Sequence, residues 1–167
     1  EQLGADGIEF DVRFSRDRAL IILHDDRVER TTDGAGLASQ MSLAELKRLD
    51  AGARFGPRFK GERIPTLPEV FDLLRDRLLL NIEIKSMTAR DTGIERAVVE
   101  SILQNKMGER VIVSSFNPWS IWRVKRSEPR IRTGLLYMQP LPAWPALLGK
   151  PDALHPHYQQ VTRDFVA

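Results

Sequence analysis

The chain has 167 residues, 42% of them hydrophobic and 29% charged, the size and balance of an ordinary globular domain with a buried core. Lys and Arg number 25 against 23 Asp and Glu, a net charge of +2, so no basic surface calls for nucleic acid, and no apolar run is long enough to span a membrane. There is no cysteine, which excludes disulfides, thiol catalysis and cysteine-bound zinc.

The ends read as cuts in a longer protein. The first residue is Glu1 rather than Met, with no basic-then-apolar leader. Thr162 has the character of an N-cap, yet the chain stops at Ala167, inside the first turn of the helix it would open. A cytoplasmic location is the expectation.

Ile8 to Phe14 alternate apolar and polar residues, and Ala19 to Leu23 form an apolar run, with only Ser15-Arg16-Asp17-Arg18 between them. A hairpin is expected. A turn centred on Arg16-Asp17 places His24 opposite Glu9 and Ile22 opposite Asp11, so the three polar groups converge. Residues 26–41 are rich in Asp, Thr and Gly and read as a loop. Ser42-Leu43-Ala44-Glu45 is a capping box heading a short helix with Leu43, Leu46 and Leu49 on one side. A second loop runs through Gly52, Gly56, Pro57 and Gly61; its Arg54, Arg58, Lys60 and Arg63, interleaved with Phe55 and Phe59, read as a solvated basic face. Thr66-Leu67-Pro68-Glu69 is another capping box, with Val70, Phe71, Leu73 and Leu74 as the buried stripe.

Leu78 to Lys85 reads as a strand, and Asp91 to Lys106 as a helix carrying Ile94, Val98 and Ile102 at helical spacing before Gly108. Arg110 to Phe116 is a β-branched strand, after which Asn117-Pro118 opens a helix that stops before Pro129. Thr133 to Tyr137 is a further strand, Pro140, Pro142 and Pro145 make an irregular connection, and Ala153 to His157 is a last short strand. Apolar strands alternating with amphipathic helices indicate an α/β fold with a parallel sheet, open or closed into a barrel. Polar residues stand late in their strands, on the rim where such folds build sites.

Three of those residues are carboxylates. Glu9 and Asp11 share one face of their strand, and in "NIEIK" Glu83 shares a face with Asn81 and Lys85 while Ile82 and Ile84 point the other way. With both apolar faces turned to helices, the three acids meet, and they repel one another unless a cation or protonation relieves them. An all-oxygen donor set suits Mg²⁺ or Ca²⁺. The imidazole of His24 can move a proton and Lys85 supplies a fixed charge for an anion, a combination suited to cleaving a phosphoryl ester. Taken singly, each motif has a bland reading: E-x-D as the wet face of an antiparallel sheet, Glu83 with Lys85 as a surface pair, a lone histidine as a loop residue. Their joint placement favours function. His155-Pro156-His157 reads as rim lining or a structural turn, and Ser114-Ser115 lacks the elbow and the partnered histidine of a serine nucleophile.

"LGADGIEFDV", "HDDRVERTTDGAG", "RIPTLPEVFDLL", "NIEIK" and "VIVSSFN", in this order, resemble the glycerophosphodiester phosphodiesterase family, specifically from Leu3 to Lys85 and more loosely to about Thr162. The resemblance implies a TIM (β/α)8 barrel with an insertion after its second strand, roughly residues 24–65, in a single domain spanning residues 1–167. It implies cation-dependent cleavage of small glycerophosphodiesters to sn-glycerol 3-phosphate and an alcohol, a step in lipid and glycerol metabolism. By position it assigns Glu9, Asp11 and Glu83 as ligands of Mg²⁺ or Ca²⁺, His24 as one of two catalytic histidines, and Lys85 as the residue near the substrate phosphate. The second histidine, in an H-R-G segment of the first strand, would lie upstream of Glu1. About five of the eight strands expected of the fold are present, so the barrel is incomplete and the segment alone is expected to be inactive. A toxin-type phospholipase D of the same barrel and a non-catalytic sugar-phosphate binding module are the rival readings.

Overall fold

A computed structural model describes residues 4–74, 77–138 and 143–161. Its strands are β1 (Gly7–Phe14), β2 (Leu20–Ile22), β3 (Leu79–Ile84), β4 (Val111–Ser115), β5 (Arg132–Tyr137) and β6 (Ala153–Pro156). Its helices are α1 (Leu43–Leu46), α2 (Leu67–Leu74), α3 (Ile94–Gln104), α4 (Pro118–Ser127) and α5 (Ala143–Gly149). The strands form one sheet in the order β2-β1-β3-β4-β5-β6. β1 and β2 are antiparallel, whereas β3 runs parallel to β4, β4 to β5 and β5 to β6, joined through α3, α4 and α5. Among the described residues β2 and β6 are edges, so the sheet is that of an incomplete (β/α) barrel. No helix among them is long and apolar enough to cross a membrane.

Two compact units divide the chain, residues 1–9 with 78–167 and residues 10–77, the boundary falling inside β1. In the first, the helices cover one face of the sheet. Ile82, Ile84, Val113 and Leu135 are buried with Ile94, Val98 and Ile102 of α3 and Ile121 and Val124 of α4. Each such aliphatic side chain contributes about 1.5–3 kcal/mol on burial. α4 begins as its sequence dictates: the Asn117 side chain accepts from the Trp119 amide at 3.1 Å, and Pro118 fills the first helical position, where no N–H is needed. α3 is shorter than expected at its start because Gly93, at φ 77°, is its N-cap. A polar tie joins α3 to α4: buried Glu95 accepts from Ser120 Oγ at 2.7 Å and from Arg123 at 3.2 Å. The connection after β5 corrects the expectation at Pro145, which stands inside α5, early enough that its missing N–H has no intrahelical partner to lose. Pro140, Pro142 and Thr162 lie outside the described residues.

The second unit is built around the hairpin. Ser15 to Ala19 close the turn, with Arg18 at φ 64°, but the register differs by one residue from the expected one: Val12, not Asp11, faces Ile22. Both capping boxes form. Ser42 and Glu45 exchange their two bonds at 3.3 and 2.7 Å, and Glu69 accepts from the Thr66 amide at 2.7 Å while its own amide donates to Thr66 Oγ1 at 3.4 Å. The loop after β2 carries its own core, in which Ile21, Leu23, Val28, Ala38, Leu46 and Ile64 pack together. On α2 the buried residues are Leu67 and Phe71, while Leu73, expected inside, is 64% exposed. The basic loop uses arginines internally: Arg54 donates to the Thr32 carbonyl at 2.7 Å and Arg63 to the Arg48 carbonyl at 2.8 Å. Asp50 clasps the same loop, accepting from the amides of Gly52 and Gly61 at 3.0 and 2.8 Å.

Candidate metal and phosphate site

Strand periodicity sets the geometry. Glu9 and Asp11 stand two residues apart on β1 and so on one face, and Glu83 stands on the neighbouring β3. The strands approach closely at their start, where the Leu79 amide donates to the Asp6 carbonyl at 2.9 Å and a Cβ on Gly7 would lie 2.8 Å from the Leu79 carbonyl oxygen. One carboxylate oxygen from each of Glu9, Asp11 and Glu83 lies within 4.8 Å of the others. Glu9 is exposed, whereas Asp11 and Glu83 are only 9% and 7% exposed. Two nearly buried carboxylates at this spacing need positive charge. Lys85 supplies one, its Nζ 2.6 Å from Glu83 Oε1. Three carboxylates converging on one point, with no nitrogen or sulfur donor among them, fit a hard divalent cation. Glu9 and Asn81 also border a cavity of about 440 Å³ shared with Gly7, Ile112 and Arg132.

Glu83 is late in β3 and Ser114 and Ser115 end β4, as the sequence pattern suggests. Glu9 and Asp11 instead fall mid-strand, because the hairpin carries β1 on to Phe14. Neither serine is placed as a nucleophile: Ser114 Oγ donates to Asn81 Oδ1 at 2.8 Å and Ser115 Oγ to the Ile84 carbonyl at 2.9 Å.

His24 lies just past β2 with its side chain 61% exposed. Leu23 donates to the Asp11 carbonyl at 3.0 Å, so the ladder runs one residue off the register that would face His24 to Glu9. Its surroundings hold it firmly. Nδ1 is 2.6 Å from Asp25 Oδ1, and Arg30 donates twice to the Asp25 carboxylate. The Arg30 guanidinium, then the His24 ring, hold the Asp25 carboxyl well below the usual carboxylate range. Arg13 donates to the His24 carbonyl at 3.1 and 2.7 Å and pairs with Asp26. With Nδ1 turned to Asp25, Nε2 is the nitrogen left to meet other groups.

Sequence reasoning missed Asp25, Arg13 and Arg30 as supports of His24. Asp25 was signalled by its adjacency in "HDD", whereas the reach of Arg13 across the hairpin follows only from the register. His157 caps a single turn at Tyr158–Gln160, its ring centroid 4.4 Å from that of Tyr158, while His155 stands against Gly134.

The sequence matches the model of the glycerophosphoryl diester phosphodiesterase family over residues 2–164. It is 46% identical to a glycerophosphodiester phosphodiesterase of Caldanaerobacter subterraneus subsp. tengcongensis across 99% of the chain, and 39% identical to one of Bacillus altitudinis across 81%. The chain spans 69% of the length of the first and 56% of the second. Among solved structures it superposes on an Oleispira antarctica phosphodiesterase in complex with the product sn-glycerol-3-phosphate, with TM-score 0.88 and 34% identity, covering 99% of this chain and 68% of that one. A glycerophosphodiester phosphodiesterase from Agrobacterium tumefaciens gives TM-score 0.73 and 32% identity over 81% of this chain and 56% of its own.

Proposed function

Because this chain belongs to the glycerophosphoryl diester phosphodiesterase family, we propose that the protein hydrolyses glycerophosphodiesters to sn-glycerol 3-phosphate and an alcohol with the help of a divalent cation. The observation that carries this reading is the convergence of Glu9, Asp11 and Glu83, with Lys85 beside them. The product named for the similar Oleispira phosphodiesterase supports the substrate class.

Glu9, Asp11 and Glu83 are the residues that would hold Mg²⁺ or Ca²⁺. Bound there, the cation supplies Lewis-acid polarisation of a phosphoryl oxygen. Lys85 binds the phosphate charge through its ammonium group. His24 moves a proton at the ester, giving one to the oxygen that leaves phosphorus or taking one from the group that attacks, and Asp25 fixes the ring so that Nε2 does this work. Residues 24–65 are then the family-type insertion, and they carry His24, Asp25 and Arg30.

The test is hydrolysis of glycerophosphocholine, glycerophosphoethanolamine, glycerophosphoglycerol and glycerophosphoinositol by the intact protein. We expect sn-glycerol 3-phosphate as the common product, loss of turnover in EDTA, and recovery on adding Mg²⁺ or Ca²⁺. Turnover that persists in EDTA removes the cation from the mechanism, and no turnover of any diester under any divalent ion refutes the assignment.

A further inference from the structure

His155 has no place in the chemistry above, yet the sheet register brings it to the same face as Glu83. Partner residues across a parallel ladder present their side chains on one side. Glu83 pairs with Ser114, Ser114 with Gly134, and Leu136 with His155. The bond from Ser114 Oγ to Asn81 Oδ1 confirms which face this is, because Asn81 and Glu83 alternate together on β3.

The imidazole lies over β5 on that face. A Cβ built on Gly134 would stand 2.4, 2.7 and 2.8 Å from Cε1, Nε2 and Nδ1 of His155. Only glycine accepts the ring in this seat. Strands about 4.8 Å apart put β5 roughly 10 Å from the strand of Glu83. Partial burial lowers the pKa of His155 and favours the neutral ring, which offers one donor and one acceptor. Among the described residues neither ring nitrogen has a hydrogen-bond partner.

We propose that His155 is a specificity-determining residue, its imidazole hydrogen-bonding a hydroxyl on the arm of the diester that extends from the phosphate, away from Glu83, across β4 and β5. This rests on the phosphodiesterase reading given above. The chemistry matches polyhydroxyl alcohols such as inositol or glycerol, which present both a donor and an acceptor, and not choline, which presents no O–H once esterified.

The experiment compares kcat and KM of the intact protein for glycerophosphoinositol and glycerophosphocholine, at saturating divalent cation. His155→Phe keeps a ring over Gly134 and removes both nitrogens. We expect it to shift the ratio of kcat/KM about tenfold toward glycerophosphocholine, through KM for the inositol diester. His155→Asn retains hydrogen-bonding groups and should recover part of the ratio. Gly134→Ala leaves the imidazole in the chain but drives it from its seat, and should reproduce the shift of His155→Phe. An unchanged ratio in all three variants, or equal losses on both diesters, overturns the proposal while the phosphodiesterase reading stands. An intact protein that hydrolyses neither diester overturns both.

Discussion

The ammonium nitrogen of Lys85 stands 2.6 Å from Oε1 of Glu83, and both side chains are largely hidden, at 18% and 10% exposure. A pair this enclosed matters more through the cost of breaking it than through its net contribution. Lys85→Met leaves Glu83 close to two further carboxylates without its cation. We expect a loss of up to about 3 kcal/mol by urea denaturation at low salt. Added Mg²⁺ or Ca²⁺ should raise the melting temperature of the variant more than that of the parent. A fall in kcat/KM of about 100-fold should accompany it, the size typical of removing one group that meets developing phosphate charge.

Glu83→Gln keeps the shape of the side chain and removes its charge. Three carboxylates become two, and affinity for a divalent cation should weaken at least tenfold, read by calorimetry or by the concentration needed to restore turnover after EDTA. Affinity equal to that of the parent would take Glu83 out of the ligand set.

His24 and Asp25 should separate by kinetics. His24→Ala is expected to lower kcat by about 10² to 10⁴, the range of a positioned acid or base, with cation affinity nearly intact. Asp25→Ala leaves the imidazole present but without its partner on Nδ1, and should lose part of that factor in kcat with little change in KM. Equal activity of Asp25→Ala and the parent would show that the Arg30–Asp25–His24 chain does not orient the ring.

Asp50 gives the loop a pH dependence of definite sign. The Gly61 amide holds its carboxyl below the ordinary value, with the Gly52 and Ala53 amides adding to the effect. A group whose folded pKa is depressed contributes its stability above the unfolded value near 3.9 and loses it as pH falls through the folded value. Protection of the Gly52 and Gly61 amides, taken relative to intrinsic exchange at each pH, should therefore fall below about pH 4 in the parent. In Asp50→Ala that protection should be low throughout, with the pH step gone.

Leu46 is fully buried within the cluster of Ile21, Leu23, Val28, Ala38 and Ile64. Leu46→Ala should cost about 2–5 kcal/mol in urea denaturation, since the surrounding loop segments refill a cavity only in part. Ser42→Ala, which removes only the cap of the same helix, should cost about 1 kcal/mol.

What was legible in the sequence had a local physical cause. The capping boxes at Ser42 and Thr66, the Asn117 cap ahead of Pro118 and the buried Ile94, Val98 and Ile102 each follow from residues a turn apart. The acid cluster was legible because the period of a strand fixes faces without knowledge of distances. The hairpin register was not: the closing bonds that tie Ser15 to Ala19, together with the positive φ of Arg18, set the pairing one residue from the simplest count. Leu73 was misplaced because helical spacing gives a stripe but not its edges, and Pro145 because its penalty disappears in a first turn. The seat of His155 on Gly134 joins two strands by register alone, with no pattern in either strand to announce it.

Side-chain volume shrinks along the row Glu83, Ser114, Gly134 and returns only to a methyl at Ala153. The space that Gly134 leaves on this face is taken by the His155 imidazole. Enlarging residue 134 displaces that ring and leaves Glu83, two strands away, as it was. The seat of the ring and the acidic chemistry thus stand on different strands of one row, so a change of size at one need not disturb the charge at the other.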